Sequence, residues 1–267
     1  MKRPTEFYKY HSAKNSYSIT NLNDSMIYLS HPKEFNDPHD CVGLLITDYP
    51  KRFDIDDTTY KKLASEVGKE FDIEFEKEQN GIKEFIAEII EQVPLYCLSE
   101  TGGEPLMWAH YSDGLRGFCI EFSGTAGFLK PAVPVDYNTL PEPTDIYKVM
   151  LQCLASAQKN GIESEQYLDR TKIWMKKLFC TKLKCWEYEK EWRIGRAQQD
   201  KTSSLKKTIK YEKTDILSII LGERMSNGNK KLIKDIVHWT YGNNVKLKIA
   251  SIENDGIVIK DLNGNFY

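Results

Sequence analysis

The most constraining feature of the sequence is one apolar run, ILSIIL at residues 216–221, which ends at Gly222 and is typical of a strand buried on both faces. Other strand-like runs and amphipathic helical runs surround it without a regular strand–helix–strand rhythm. The strand-like runs are 6–10, 26–30, 95–99, 116–122, 133–137, 245–252 and 256–260, and the helical runs are 82–93, 145–157, 164–185 and 229–240. This mixture predicts an α+β fold with a mixed, largely antiparallel sheet flanked by helices.

The length of 267 residues allows one large domain or two small ones. The chain has no internal repeat, no low-complexity tract and no stretch with the composition of a linker. We therefore predict a single domain over residues 1–267, with a helical insertion at about 50–93 that is rich in charged residues.

Charge and hydropathy exclude two classes of partner. Lysine and arginine number 37 against 39 aspartates and glutamates, so the net charge is −2. Overall charge therefore cannot attract nucleic acid, although a local basic groove can still bind it. No apolar run approaches the length of about 18 residues that a membrane span needs. The two basic residues near the N-terminus are followed by no apolar stretch, so we expect no signal peptide and a cytoplasmic protein.

Several common catalytic motifs are absent from the sequence. There is no glycine-rich dinucleotide fingerprint, no P-loop, no serine nucleophile elbow, no HExxH zinc motif and no kinase signature. The sequence thus excludes the enzyme classes that depend on these motifs.

The segment WEYEKEWRIG at 186–195 holds the strongest candidate for a catalytic acid. Glu189, Glu191 and Arg193 share one face if the strand starts early, and Trp186 and Trp192 are nearby in sequence. Apolar surroundings raise the pKa of a carboxylate and suit it to act as a general base. The alternative is a solvated Glu–Lys–Arg surface cluster with tryptophan packed beneath it.

A second segment, MWAHYSDG at 107–114, places an aromatic cluster on a short helix. Trp108 and Tyr111 lie on neighbouring turns, and His110 is of the residue type that most often carries protons near neutral pH. The alternative is that both aromatic side chains fill the core and that the histidine is structural.

The loop FNDPHD at 35–40 offers Asn36, Asp37 and Asp40 as oxygen ligands for a hydroxyl, a ribose or a divalent metal. A structural turn explains the same residues equally well, because Asn and Asp side chains bond to the backbone just ahead of them.

The first strand carries the remaining candidates. Tyr8 and Tyr10 face one side of it and Lys9 faces the other. Polar and aromatic residues this dense predict one shared cleft, lined by the blocks 8–10, 30–40, 107–117 and 187–193.

Together these blocks resemble a bacterial family, domain of unknown function 2971. The matching positions are Tyr8-Lys9-Tyr10, Ile27-Tyr28-Leu29-Ser30, Pro32, Phe35-Asn36-Asp37-Pro38, Asp40, Cys97, Ser99-Glu100, Met107-Trp108, Tyr111, Gly117-Phe118, Phe122, Val135, Tyr137, Lys182, Trp186, Tyr188-Glu189, Glu191-Trp192-Arg193 and Ile219-Ile220-Leu221-Gly222. His39 stands where the family more often has an aromatic residue. The resemblance implies a stand-alone bacterial cytosolic protein, in some members near defence genes, and implies no established activity.

A weaker resemblance, one of order along the chain, is to the ADP-ribosyltransferase fold and its DNA-modifying toxins. Tyr8–Tyr10, Ser30, Tyr111 and Glu191 stand in the order of that class, ahead of the buried strand at 216–221. The resemblance implies NAD as substrate, Glu191 as the catalytic acid and Tyr111 stacked on nicotinamide. Lys9 or Arg193 would hold the pyrophosphate. The other residues expected to bind substrate are Tyr8, Tyr10, Ser30, Asn36, Asp37, Trp108, His110 and Glu189.

Three functions remain open from the sequence. The first is an ADP-ribosyltransferase-like or NAD-glycohydrolase-like enzyme, such as a toxin or phage-defence effector, with a small nucleotide ligand, a nucleic-acid or protein acceptor and no tightly bound metal. The second is a magnesium-dependent nuclease or phosphodiesterase that uses Asp37, Asp40, Glu189 and Glu191. The third is a non-enzymatic binding module with an aromatic groove of Tyr8, Trp108 and Tyr111.

Overall fold

The computed structural model describes residues 2–37, 39–41, 61, 79–138, 161, 163–196 and 207–262. The helix predicted at 145–157 and most of the insertion predicted at 50–93 lie outside these residues, as does Pro38. The chain divides into two compact units: the first comprises 1–30, 95–134 and 187–267, and the second comprises 31–94 and 135–186. The single domain with a helical insertion stays a prediction.

The first unit is built on an eight-stranded sheet, and a separate two-stranded sheet accompanies it. The strands are β1 (Glu6–His11), β2 (Met26–Tyr28), β3 (Leu95–Ser99), β4 (Phe118–Ser123), β5 (Val133–Pro134), β6 (Glu191–Gly195), β7 (Thr208–Lys210), β8 (Ile216–Gly222), β9 (Lys246–Glu253) and β10 (Gly256–Asp261). The large sheet has the order β10-β9-β8-β4-β1-β3-β6-β5, and β2 pairs with β7. Every neighbouring pair is antiparallel except β8–β9, which confirms the predicted α+β class with a mixed, mostly antiparallel sheet.

Both units contain helices. They are α1 (Ser16–Asn23), α2 (Gln79–Gln92), α3 (Pro105–Tyr111), α4 (Glu165–Phe179) and α5 (Asn227–Ile236). The first unit contains α1, α3 and α5, and the second contains α2 and α4. The helix predicted at 164–185 ends early, at Phe179, and α1 was not predicted because its sequence, SYSITNLN, is mostly polar.

The large sheet is covered on both faces. One face, here called the core face, contributes Phe7, Trp192 and Ile219 to a large hydrophobic cluster. The opposite face, here called the α3 face, contributes Tyr10 and Ile220 to a smaller cluster that includes two side chains of α3. Because β8 supplies successive residues to the two clusters, the prediction that it is buried on both faces is confirmed.

The second unit buries an ion pair. Lys182 and Asp40 approach to 3.3 Å, and their side chains are 4% and 1% exposed. The backbone of Asp136 fixes the chain beside this lysine, since it donates to the carbonyl of Cys180 at 2.8 Å and accepts from the amide of Lys182 at 3.0 Å. Removal of either member takes away a charge that the other, buried group faces, and should therefore destabilise the unit.

Candidate functional site

A row of polar side chains crosses three neighbouring strands on the α3 face. Tyr8 of β1 pairs with Ser99 of β3, and Ser99 pairs with Glu191 of β6. Directly opposed residues in an antiparallel sheet place their side chains on the same face. Sheet pairing thus brings together three side chains that are far apart in the sequence.

Glu191 is held by a charged partner two residues further along its own strand. Nε of Arg193 donates to Oε1 of Glu191 at 2.8 Å, and Nη2 donates to Oε2 at 2.9 Å. Both side chains are buried, 6% exposed for the glutamate and 1% for the arginine. A guanidinium that bonds both carboxylate oxygens fixes the direction of the carboxylate and keeps a permanent positive charge beside it. This confirms that Glu191 and Arg193 share a strand face.

Trp192 lies on the other side of the sheet from Glu191. Its ring meets that of Phe7 edge to face, with centroids 5.4 Å apart, and its Nε1 donates to Oε1 of Glu100 at 2.6 Å. The apolar wall that the sequence suggested around Glu191 is therefore not formed by Trp192, because consecutive strand residues point to opposite faces. The paired guanidinium takes its place.

A second acid lies just before β6. Glu189 is buried, and its Oε1 accepts a 2.6 Å hydrogen bond from the hydroxyl of Tyr111. Its backbone carbonyl accepts from Oγ of Ser99, also at 2.6 Å. The intervening Lys190 has a φ of 43°, a left-handed conformation that bends the chain into the strand. The predicted acids Glu189 and Glu191 are thus both anchored within the first unit, each by a different partner.

Helix α3 positions Tyr111. Glu104 caps its N-terminus by accepting from the amide of Leu106 at 3.2 Å, and Pro105 occupies the first turn. The helix buries Trp108, whose Nε1 donates to the carbonyl of Gly102 at 2.8 Å and whose ring meets Tyr10 edge to face at 5.2 Å. Trp108 and Tyr10 therefore support the site from within the hydrophobic cluster of the α3 face, while Tyr111 remains partly exposed.

A turn of unusual conformation ends α3. Asp113, Gly114 and Leu115 have φ values of 51°, 60° and 66°. The left-handed conformation strains Asp113 and Leu115, because their Cβ atoms approach the following carbonyl oxygen, whereas Gly114 has no Cβ. The turn is held from outside: Oγ of Ser12 donates to Asp113 at 2.6 Å, and Gly222 lies so close to the carbonyl oxygen of Leu115 that a Cβ there would overlap it.

A third acid, Glu121 of β4, was missed by the sequence reasoning. Its Oε1 accepts from Tyr8 at 3.0 Å, and its Oε2 accepts from Lys248 at 2.7 Å and from Ser218 in a short hydrogen bond. Burial raises the pKa of Glu121, but hydrogen bonds from Lys248 and Ser218 and the charge of Lys248 outweigh it, so the pKa is lowered. A charged residue between buried apolar neighbours, as in FCIEF, was the signal that could have found it.

The other predicted residues of the first unit lie at varied places. Lys9 is on the core face, where Nζ donates to the carbonyl of Cys97 at 2.8 Å and lies 4.8 Å from the ring centre of Tyr96. This confirms that it faces away from Tyr8. The backbone of Ser30 bridges to Leu95 at the start of β3. His110 is exposed, with its ring 6.3 Å from that of Tyr111.

The loop that carries Asn36 and Asp37 belongs to the second unit. Asn36 is exposed, and Asp37 is buried, with Oδ1 accepting from the amide of His39 at 2.9 Å. The amide of Asp40 donates to the carbonyl of Asp37 at 3.2 Å, so the described part of the loop is a turn. That this loop also binds substrate stays a prediction.

Comparison with known protein families identifies part of the chain. Residues 107–194 match DUF2971. This family model is described as a protein of unknown function. The match confirms the predicted resemblance over the segment from α3 to β6. No curated protein and no solved structure is detectably similar to the chain.

The DUF2971 segment contains the Tyr111–Glu189 pair and the Glu191–Arg193 pair. Tyr111, Glu189, Glu191 and Arg193 all lie within it, whereas Tyr8, Asn36 and Asp37 lie outside. The likeness to ADP-ribosyltransferases stays a prediction. Among the described residues, no helix is both long and apolar enough to cross a membrane, and no three His, Cys, Asp or Glu side chains are grouped as metal ligands.

Proposed function

We propose that this protein cleaves the bond between nicotinamide and ribose in NAD, as an ADP-ribosyltransferase-like or NAD-glycohydrolase-like enzyme. The observation that carries the proposal is the row Tyr8–Ser99–Glu191 on three adjacent strands. It groups an aromatic residue of the first strand, a small hydroxyl residue and a glutamate of a late strand, which is the order of residue types that the weaker resemblance implies, with Ser99 in place of Ser30.

Glu191 supplies the charge that this chemistry needs. Cleavage of the bond passes through a state in which positive charge develops on the ribose, as in glycoside hydrolysis. A carboxylate whose direction is already fixed stabilises that charge without reorganising. The two hydrogen bonds from Arg193 fix the direction of the Glu191 carboxylate in this way.

Tyr111 and Glu189 form the second part of the proposed site. The partly exposed ring of Tyr111 would stack on nicotinamide, and its bond to Glu189 would hold the ring at one angle. Lys9 and Arg193 are engaged with Cys97 and Glu191, so we no longer assign the pyrophosphate to either of them.

The setting we propose follows from the family resemblance. The protein would act in the bacterial cytoplasm as a toxin or phage-defence effector, with a nucleic acid or a protein as acceptor of ADP-ribose. A net charge of −2 favours an acceptor recognised at a local site over one held by overall charge.

The described residues support the two alternative functions less well than the Tyr8–Ser99–Glu191 row supports NAD cleavage. For a magnesium-dependent nuclease, Asp40 is paired with Lys182 and Glu191 with Arg193, so each of these carboxylates already faces a cation. For an aromatic binding groove, Trp108 is only 1% exposed and offers little surface to a ligand. The following assay separates NAD cleavage from both of these functions, because neither of them releases nicotinamide.

The test is release of nicotinamide from NAD by the purified protein, measured by chromatography with and without magnesium. We expect turnover without magnesium, and a loss of about 100-fold or more in Glu191→Gln. Because Glu191→Gln removes a charge that faces Arg193, Glu191→Asp is tested as well. Aspartate keeps the negative charge but withdraws the carboxylate by one methylene. Glu187→Gln, at an exposed position, is the matched control and should be fully active. Full activity of folded Glu191→Asp and Glu191→Gln would refute the assignment.

A further inference from the structure

A cleft in the first unit lies between α3 and the β9–β10 hairpin, and no step of the proposed reaction uses it. It encloses about 280 Å³ and is open to solvent. Its walls are mainly apolar, formed by Trp108 and Ala109 of α3, Leu115 of the left-handed turn, and Ile252 and Ile257 of the hairpin. Ile252 is 60% exposed, which is a large exposed fraction for an isoleucine beside a cleft.

One of the residues that line this cleft is cationic. Arg224, in the turn after β8, is exposed, and within the part of the chain that the structure describes its guanidinium has no hydrogen-bonding or acidic partner. Its backbone amide is fixed, because it donates to the carbonyl of Leu115 at 3.0 Å. Among the described residues Arg224 forms no ion pair with the adjacent Glu223, whose Oε1 accepts from the amide of Ile252 at 3.2 Å.

The walls of the cleft are set by long-range contacts. The turn Asp113–Leu115 is clamped by Ser12 and by the close approach of Gly222, and Gly114 donates to the carbonyl of Trp108 at 3.0 Å. Strained backbone persists only where the surrounding structure holds it, and such positions are common at ligand sites. The cleft is therefore formed before any ligand arrives, which lowers the entropic cost of binding.

We infer that this cleft binds a small carboxylate with an apolar chain or ring, its apolar part between α3 and the hairpin and its carboxylate on Arg224. The volume corresponds to roughly nine waters at about 30 Å³ each, which suits a ligand of about ten non-hydrogen atoms. A guanidinium bonds a carboxylate through two parallel hydrogen bonds, so the headgroup is specified by geometry as well as by charge. The inference is independent of the proposed NAD chemistry.

The experiment uses octanoate as probe and octanamide, which has the same shape and no charge, as its control. Binding of each to the full chain is measured by ligand-observed NMR titration. Three variants are compared with the unmodified protein: Arg224→Gln removes the cation, Ala109→Leu fills the cleft from an exposed helix position, and Lys213→Gln removes an exposed charge elsewhere in the same unit. Melting curves establish that each variant is folded.

We expect octanoate to bind at least about tenfold more tightly than octanamide, because a hydrogen bond to a charged group outweighs a neutral one. Arg224→Gln should reduce octanoate to the affinity of octanamide, Ala109→Leu should weaken both probes, and Lys213→Gln should change neither. Equal affinity for the two probes, unchanged octanoate affinity in folded Arg224→Gln, or no binding of octanoate at millimolar concentration would each overturn the inference.

Discussion

The hydroxyl of Tyr111 and Oε1 of Glu189 lie 2.6 Å apart, and this hydrogen bond ties the end of α3 to the chain just before β6. Glu189 is also held through its backbone by Ser99 of β3. Three segments that are distant in sequence thus meet at one buried residue, Glu189. The arrangement has consequences for stability that do not depend on the proposed activity.

Tyr111→Phe should lower the free energy of unfolding by roughly 1–3 kcal/mol, because it removes one hydrogen bond from a buried carboxylate and leaves the ring in place. Urea denaturation at pH 7 measures the change. Tyr17→Phe is the matched control, since Tyr17 is 76% exposed and should show no effect. Equal stability of the two variants would contradict the importance of the Tyr111–Glu189 bond.

Lys248→Met should make the protein more sensitive to acid. Burial raises the pKa of Glu121, but the bonds from Lys248 and Ser218 and the lysine charge lower it below the ordinary 4.5. A carboxyl whose folded pKa is depressed contributes stability above its unfolded pKa and loses it as pH falls through the folded value. Without Lys248, the midpoint of acid unfolding should move to higher pH, and stability at pH 7 should fall by roughly 2 kcal/mol.

The control for this experiment is Lys246→Met, which removes an exposed lysine from the same strand. Acid titrations followed by circular dichroism compare the two variants. If both move the midpoint equally, general charge, and not the bond to Glu121, controls acid stability.

His11→Phe should flatten the dependence of stability on pH between about 3 and 6.5. Burial and, to a smaller extent, the charge of Lys9 lower the pKa of His11 to about 3. Its Nε2 has no hydrogen-bond partner among the residues the structure describes. Between these two pH values the unfolded chain binds a proton that the folded chain does not. Stability therefore falls as pH drops below 6.5, by roughly 1.4 kcal/mol per pH unit.

Phenylalanine cannot titrate and can keep the stacked contact with Phe118, whose ring centre lies 5.0 Å from that of His11. Urea denaturation at pH 7 and pH 5 gives the slope for each protein. The exposed His238 supplies a control, because His238→Gln should retain the full slope. An unchanged slope in His11→Phe would mean that another group is responsible.

Gly222→Ala should destabilise the protein by about 2 kcal/mol or more, because the new methyl group would overlap the carbonyl oxygen of Leu115. Gly228→Ala is the opposite case: Gly228 lies in α5 with nothing within 4 Å of the added atom. That substitution should stabilise the protein by about 0.5–1 kcal/mol. Thermal denaturation of both variants is the measurement, and a loss of the same size in each would contradict the close-approach argument.

Local patterns in the sequence predicted most of the strands. The run 95–99 is β3 as predicted, and 216–221 falls one residue short of β8. The opposite orientations of Tyr8 and Lys9 also follow from alternation alone. These features depend on neighbours a few residues away, which is the range that sequence periodicity covers.

Features that depend on which strands pair with each other could not be predicted from local sequence patterns. Ser99 joins the site because β3 lies between β1 and β6, and no local pattern specifies that order. Glu121 is a single charge in an apolar strand until Ser218 and Lys248 are placed beside it. The position of Trp192 could have been predicted, because alternation alone puts its side chain on the face of the sheet opposite to that of Glu191. The expected apolar wall around Glu191 did not take this alternation into account.

The position of β1 in the sheet has a consequence for truncated forms of the chain. The strand closest to the N-terminus lies between β4 and β3, an interior place in the sheet. Removal of the first eleven residues would therefore leave the backbone edges of two strands, β4 and β3, unpaired. Loss of a strand at the end of the sheet would leave only one such edge. Unpaired edges of this kind recruit strands from other molecules. The truncated chain should therefore aggregate, even though it keeps every residue of the DUF2971 segment.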